Sequence, residues 1–592
     1  MNLLAFACKG DGVSPSKTSD IVYPVHFIDQ AAIVRSSLIS YTFRYDHVLD
    51  PIKLRDSLAR LLNTGDWKKL GGRLRVNKDG KLEIHVPQQF SPGRRPIRYL
   101  HVEHRMAMSS HPLARRLPRK SRDGSKPSLH EGCHTFRDFS IPPSLPNDIK
   151  HYLSTDEPMI CLFINSFTDG TLVSITFPHS VADAMGTADL IKAWSQTLRE
   201  RSAEAIDLEF AGAWEDAMDS VGTPGDAVAK DTQFVLEDKQ TRGFSLLAFI
   251  ARFTWDALTR RNVETRHICL PARFMSHLRK EAEAEIFSPA EKKTENGNGN
   301  ENGNGNAKSD DVTFVSDGDL ITAWGAKMVL DSAPRNKEGA ASSAAICNVF
   351  DVRGRLQVFR AESRSGDSIK SRAYLQNLIL PSTTLLTPSE AQNLGVGGLA
   401  ARIRRSIVEQ TVDRQVRSLV RLARDWFGTL GTMPLFVSRD TNRVIACTNW
   451  SKARFMDLAD FGPAVVDESM STSTTPGLYH HSTATTAKTT TNREKIEEEK
   501  AVKINIKAET ESEESESDSD TASQKKSSVS ANATKANMSA KPVAYWGTTL
   551  AVADSPRDTF VVYGKDWDGD YWLHAYLRTE TWDLIERELA KF

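Results

Sequence analysis

Apolar and polar positions change period several times along the chain, and each change marks an element. "SLISYTFRYDH" (37–47) alternates and predicts a strand. "DPIKLRDSLARLLNTG" (50–65) has helical spacing, with Asp50 as cap, Pro51 at the first helical position and Gly65 as the stop. "GGRLRVNKDGKLEIHV" (71–86) predicts a hairpin turned at Asp79-Gly80, and "MICLFINSFTDGTLVSITF" (159–177) a second one turned at Asp169-Gly170. "TADLIKAWSQT" (187–197) returns to helical spacing, and the weakly patterned 206–235, with "GTPGD" inside, predicts a crossover. Beyond it the mixture recurs in "RHICLPARFMSHLRKEAEAE" (266–285), "SDGDLITAWGAKMVL" (316–330) and "AAICNVFDVRGRL" (344–356), followed by one long helix over 399–426. The aromatic, β-branched runs "AYWGTTLAVAD", "TFVVYGKD" and "DYWLHAYLR" predict three late strands, and "ETWDLIERELAKF" a closing helix. Strands do not alternate strictly with helices, which predicts an α/β sandwich of mixed sheets, not a doubly wound parallel sheet.

Two stretches break this pattern. Residues 288–311 are Asn/Gly-rich, and 467–541 are Ser/Thr-rich with the acidic run "ETESEESESDSD"; neither can bury apolar surface, so both are expected to be disordered insertions. Because strands resume after the second, it interrupts a folded unit.

The chain of 592 residues is too long for one core, and its 40% hydrophobic and 26% charged content suits a soluble protein. A formal net charge of zero gives no field favouring nucleic acid or anionic membrane. No apolar run reaches the roughly 18 residues of a membrane span. "MNLLAFACKG" lacks the basic start and apolar length of a signal peptide. The six cysteines are scattered without a Cys-x-x-Cys pair, which speaks against zinc or a disulfide framework and fits a reducing cytosol.

Candidate chemistry centres on "SITFPHSVADAMG" (174–186), where a strand ends at Pro178 and is followed by His179 and, four residues on, Asp183. With 15 histidines, about one such spacing is expected by chance, and a second does occur, His134 to Asp138. Context separates them. His179 lies where a strand hands over to a helix, beside Gly186, a junction that projects side chains into clefts. His134 lies in a polar loop bounded by prolines. On spacing and placement alone, a catalytic base and a structural histidine at a strand end remain equally open readings.

Further segments carry a resemblance. "VHFIDQAA" (25–32), "WKKLGGRLRVNKDGKLEI" (67–84), "FPHSVADAMG" (177–186), "SDGDLITAWGAKMV" (316–329), "NVFDVRGRL" (348–356), "YLQNLIL" (374–380) and "TNWSKARFMDLADFGPA" (448–464) resemble, in order, the blocks of the BAHD acyltransferases, coenzyme A-dependent enzymes of plants and fungi with the fold of chloramphenicol acetyltransferase. Two departures stand out: Ala184 follows Asp183 where glycine is usual, and Pro463-Ala464 replace Trp-Gly after Asp460, Phe461 and Gly462, as in divergent fungal members.

The resemblance implies two similar mixed-sheet domains, at 20–205 and 236–592, with the active-site channel at their interface. It implies His179 as the base and Asp183 turned away from substrate to pair with Arg353. Asp351 and the Asp460–Gly462 loop would give structural support. Acyl-CoA, with acetyl-CoA the default, would be a cosubstrate; no cofactor or metal would be permanently bound. Partners would be a small alcohol or amine, without nucleic acid or membrane, for a monomeric cytoplasmic enzyme. Arg404 and Arg405 are candidates for the coenzyme phosphates.

Such chemistry needs a base for the hydroxyl proton, a donor for the oxyanion and exclusion of water. A neutral imidazole suits the first need near pH 7. Rival readings fare worse. No Gly-x-Ser-x-Gly elbow exists, and "GFSLL" lacks the second glycine. "GVGGLA" (395–400) fits a dinucleotide fingerprint but follows no strand. A peptide-synthetase condensation domain would usually show His-His before the spacing, where Pro178 stands. A non-catalytic binding protein of the same fold would have no reason to keep His179, Asp183 and Arg353 together.

Overall fold

The computed structural model describes residues 19–120, 124–145, 148–200, 208–259, 262–287, 314–333, 342–361, 371–430, 433–437, 441, 443–466, 538–549 and 557–592. Segment 288–311 and residues 467–537 lie outside them. Residues 539–541, assigned to the second insertion, belong to the folded part, since Ser539 and Ala540 both bond the Asp460 carboxylate.

The element that positions the site is the strand Gly170–Pro178, buried along its whole length. It is central in a five-stranded sheet of order 544–549, 38–45, 170–178, 160–167, 97–103. Alternation along it does not mean one wet face. Its hydroxyl side is covered by the short helix Arg137–Ser140, and polar groups there bond one another. Ser174 Oγ donates to the Phe139 carbonyl at 2.9 Å, and Thr176 Oγ1 to Ser40 Oγ at 2.9 Å. A buried hydroxyl costs stability unless it is so satisfied. The hairpin loop to the partner strand Ile160–Phe167 is Thr168-Asp169, one residue earlier than expected, because Gly170 already pairs with Phe167.

The helix Pro51–Leu61 begins as its sequence predicts, the Asp50 carboxylate accepting from the Ile52 and Lys53 amides at 2.9 and 3.1 Å. It packs on the helix Ala184–Arg199, whose Trp194 indole donates to Ser57 Oγ at 2.9 Å. The Asp79-Gly80 hairpin joins Arg73–Val76 to Leu82–Val86, with Gly80 at φ +76°.

A seven-stranded mixed sheet, order 379–386, 344–351, 443–449, 559–565, 571–578, 263–270, 128–131, forms the other layer system. Helices Ala272–Phe287, Asp317–Ser332, Val396–Gln410 and Thr579–Leu589 cover it, burying Phe274, Leu320, Leu399 and Trp582 against Ile346, Ile445 and Leu573. Sheet membership crosses the expected division of the chain. Ala544–Thr549 pairs antiparallel with Leu38–Tyr45, and Ser128–Glu131 pairs with Val263–Leu270. An aromatic seam, Tyr41–Trp450 at 5.3 Å and Tyr545–Tyr563 at 5.3 Å between ring centres, runs between elements of the two sheets.

The long helix expected over 399–426 is two helices, Val396–Gln410 and Asp413–Leu430. The first ends at Gln410, whose side-chain amide bonds both backbone groups of Thr383 on the outer strand, at 2.9 and 2.8 Å, and β-branched Thr411 and Val412 follow. "GVGGLA" opens the first of them after a helix, Pro388–Asn393, and not after a strand. Its Gly395, Gly397 and Gly398 amides all donate to the Glu285 carboxylate, so this helix N-terminus already holds an anion. Among the described residues, no helix is long and apolar enough to cross a membrane.

Candidate active site

Pro178, lacking an N–H, ends the ladder at its pairing with Leu38. The next amide, of His179, still donates to the Ser37 carbonyl at 2.8 Å, and Val181 N closes a turn onto Pro178 O at 2.9 Å. The chain then enters the helix Ala184–Arg199 with Asp183 as cap, its Oδ1 accepting from Gly186 N at 2.9 Å. His179 is therefore fixed between a strand end and a helix start.

The imidazole is half-buried. Its Nδ1 is sealed from solvent without a regular hydrogen bond. Burial pushes the imidazole below its ordinary value of 6.5, while the backbone at His179 and Ala182 and the nearby Asp183 carboxylate pull the other way. The ring is thereby held neutral at physiological pH, as a proton acceptor must be.

Asp183 is buried and turned to Arg353. Arg353 Nη1 donates to Oδ2 and Nη2 to Oδ1, both at 3.0 Å, and Leu378 N adds a third bond to Oδ2 at 2.9 Å. Arg353 also donates to Asp351 Oδ1 at 2.7 Å, to the Tyr374 carbonyl at 2.9 and 3.1 Å and to the Gln376 carbonyl at 2.8 Å. Burial works against its charge, but the two carboxylates hold its guanidinium above the usual range. The fork ties the first turn of the 184–199 helix to segment 374–378. Contact there is so close that a Cβ on Gly186 would lie 2.0 Å from the Leu375 carbonyl oxygen.

Asp460, Phe461 and Gly462 are brought elsewhere. Asp460 bonds Arg199 at 2.6 Å, at the far end of the same helix, and Ser539 and Ala540 at 2.8 Å each. Sixteen residues of helix, roughly 24 Å, separate the two ends. Burial pushes the Asp460 carboxyl up, but the Ser539 hydroxyl, the Ala540 and Gly462 amides and Arg199 together hold it below its ordinary value. Phe461 is fully buried against Trp194 and Tyr45. The loop therefore pins the chain on both sides of residues 467–537. Arg404 is paired with Asp319 and lies over Phe314. His134 and Asp138 are exposed.

Sequence reasoning quoted, but did not name, the remaining contacts of the site. Asn377, in the "YLQNLIL" segment, donates to the His179 carbonyl at 2.8 Å, and Asp29, in "VHFIDQAA", receives the same amide group at 2.6 Å. Asp189, six residues beyond the cap, is pushed up to about 6 by burial.

Two mixed sheets hold His179 between a central strand and a capped helix, and the fold is of the chloramphenicol acetyltransferase type. The comparisons agree. Acetyltransferase BOT5 of Botryotinia fuckeliana is 47% identical over 97% of this chain and 91% of its own length, and acetyltransferase pyiB of Pyricularia grisea is 30% identical over 98% and 95%. TRI101 of F. sporotrichioides, solved with coenzyme A and T-2, shares the fold at TM-score 0.55 and 14% identity, over 97% of this chain and 99% of that one. No protein-family model matches the chain. The chain belongs to the fungal BAHD-type acyltransferases.

Proposed function

We propose that this acyltransferase moves an acyl group, acetyl by preference, from coenzyme A to a hydroxyl of a small oxygenated metabolite, with His179 as general base. The single observation that carries the reading is the imidazole itself, sealed at Nδ1 and locked through its backbone between a central strand and a capped helix. Nε2 takes the hydroxyl proton as the alcohol oxygen attacks the thioester carbonyl. The C–O bond forms, the tetrahedral oxyanion collapses, the C–S bond breaks, and the departing thiolate recovers the proton from the imidazolium. Acyl-CoA and alcohol thus become ester and free coenzyme A. General-base assistance contributes on the order of 10²–10⁴ in rate. Asp183 and Arg353 position the loop that carries His179, and Asp351 holds the second side of the guanidinium. Asp460, Phe461 and Gly462 stabilise the far end of the helix.

The names of the curated relatives support acetyl transfer, and the coenzyme A and T-2 in TRI101 support the donor and a small organic acceptor. The five described cysteines are all unpaired, which suits a reducing, cytosolic setting. The test incubates the purified chain with acetyl-, propionyl- and malonyl-CoA against a panel of terpenoid, polyketide and phenolic alcohols, following thiol release and ester mass. Acceptor-dependent thiol release with acetyl-CoA is expected. No turnover of any acyl-CoA, with a protein partner that co-purifies, would favour a non-catalytic role.

A further inference from the structure

Asn377 and Asp29 form a second clamp on the histidine that the mechanism above does not use. The Asn377 side-chain amide donates to the His179 carbonyl at 2.8 Å and to Asp29 Oδ1 at 2.6 Å, while the Asn377 backbone amide donates to that same oxygen at 2.9 Å. Both residues are buried, Asp29 at 0% and Asn377 at 1% exposure.

The segment that carries Asp29 is itself stapled. Gln30, in the short turn Ile28–Gln30, exchanges hydrogen bonds with both backbone groups of Leu82, at 3.1 and 3.0 Å. Asn377 sits one residue before Leu378, whose amide bonds Asp183. Segment 374–378 is therefore held by the Arg353–Asp183 fork and by Asp29, and it passes both constraints to the residue expected to do the chemistry.

We propose that Asp29 is a positioning residue for His179: through Asn377 it fixes the histidine's carbonyl, and with it the direction in which the imidazole leaves the backbone. The inference rests on the assignment of His179 as base. Two N–H groups converging on one oxygen call for a strong acceptor, and a carboxylate is the strongest available. It is costly there. Burial pushes the Asp29 carboxyl up to about 7 despite its two donors, and the cation whose charge opposes this, Lys69, is itself buried, its ammonium donating to the Ala213 carbonyl at 2.8 Å. An apolar residue would be the cheaper occupant of such a place, so its role is better explained by geometry than by stability.

The test compares Asp29→Ala, Asp29→Asn, Asn377→Ala and the Asp29→Ala/Asn377→Ala double variant with the parent, with His179→Ala alongside, using acetyl-CoA and the best alcohol of the panel. For Asp29→Ala and Asn377→Ala, kcat should fall about 10–100-fold, with KM for either substrate moving less than about threefold. The double variant should be no slower than the slower single one, since both break the same link. Asp29→Asn keeps an acceptor oxygen and should recover most of the loss; it also serves if Asp29→Ala does not fold. A purely structural role would lower the melting temperature and leave kcat per folded molecule unchanged, which would overturn the proposal, as would losses that multiply in the double variant. If His179→Ala is inactive while the folded Asp29 and Asn377 variants match the parent, only this inference falls. If His179→Ala matches the parent, the base assignment falls and takes it along.

Discussion

Arg353 and Asp183 meet as a two-pronged fork, Nη1 on Oδ2 and Nη2 on Oδ1 at 3.0 Å each, across 170 residues of chain. Breaking a buried pair of this kind costs about 3–5 kcal/mol because a charge is left stranded. Asp183→Asn preserves a good helix cap and removes the charge. It should therefore lower both the folded yield and, roughly 10–100-fold, the rate. Arg353→Lys keeps the charge but not the fork, and should lose most of the same stability. Thermal melts and kcat measured on the same preparations check both; an Arg353→Lys protein with parental melting would show that charge alone suffices.

Gly186→Ala tests the packing beneath the site. Alanine is the better helix former by about 1 kcal/mol, yet its Cβ would sit 2.0 Å from the Leu375 carbonyl oxygen. Overpacking against backbone should outweigh propensity and cost a net of about 1–3 kcal/mol. Urea unfolding gives the sign. A variant as stable as the parent would mean that segment 374–378 can yield.

Both the fork and the glycine show what the sequence could and could not disclose. Asp50-Pro51 and Asp79-Gly80 were legible because caps and tight turns are local chemistry. The strand before His179 was legible from its period. The exchange of Ala544–Thr549 into the sheet of Leu38–Tyr45 was not, since strand pairing at that separation leaves no local mark. Nor was the helix break at Thr411-Val412, beside which the Gln410 side chain meets Thr383 from a distant strand. Asp183 and Arg353 were tied together only through family resemblance. Asn377 and Asp29 lay inside quoted segments, but nothing in their spacing says that they meet.

Acid should destabilise the chain through His267, whose ring Nδ1 lies 2.7 Å from the Glu131 carbonyl. Burial pulls its imidazole down to about 4 from an ordinary 6.5. The folded value lies below the unfolded one, so the contribution is complete above about pH 6.5 and is lost as pH falls towards 4, roughly 3 kcal/mol in all. Denaturant midpoints across that window should drop, and His267→Asn, which keeps the donor to Glu131, should remove this share of the drop. An unchanged slope in the variant would contradict the assignment.

The pH dependence of catalysis should follow from the same physics at His179. A base must be neutral, and burial holds this imidazole below 6.5. The kcat/KM profile should therefore rise to a plateau through a midpoint under 6.5, with Asp189→Asn as the control for the carboxyl that titrates near 6. A midpoint above about 7 would point to a different base.

The most direct test is the rate of acetyl-CoA thiol release with a productive alcohol in His179→Ala, set beside the parent at equal folded concentration. The account predicts a fall of about 10²–10⁴-fold with coenzyme A binding retained. A substituted enzyme that acetylates the alcohol as fast as the parent would contradict it.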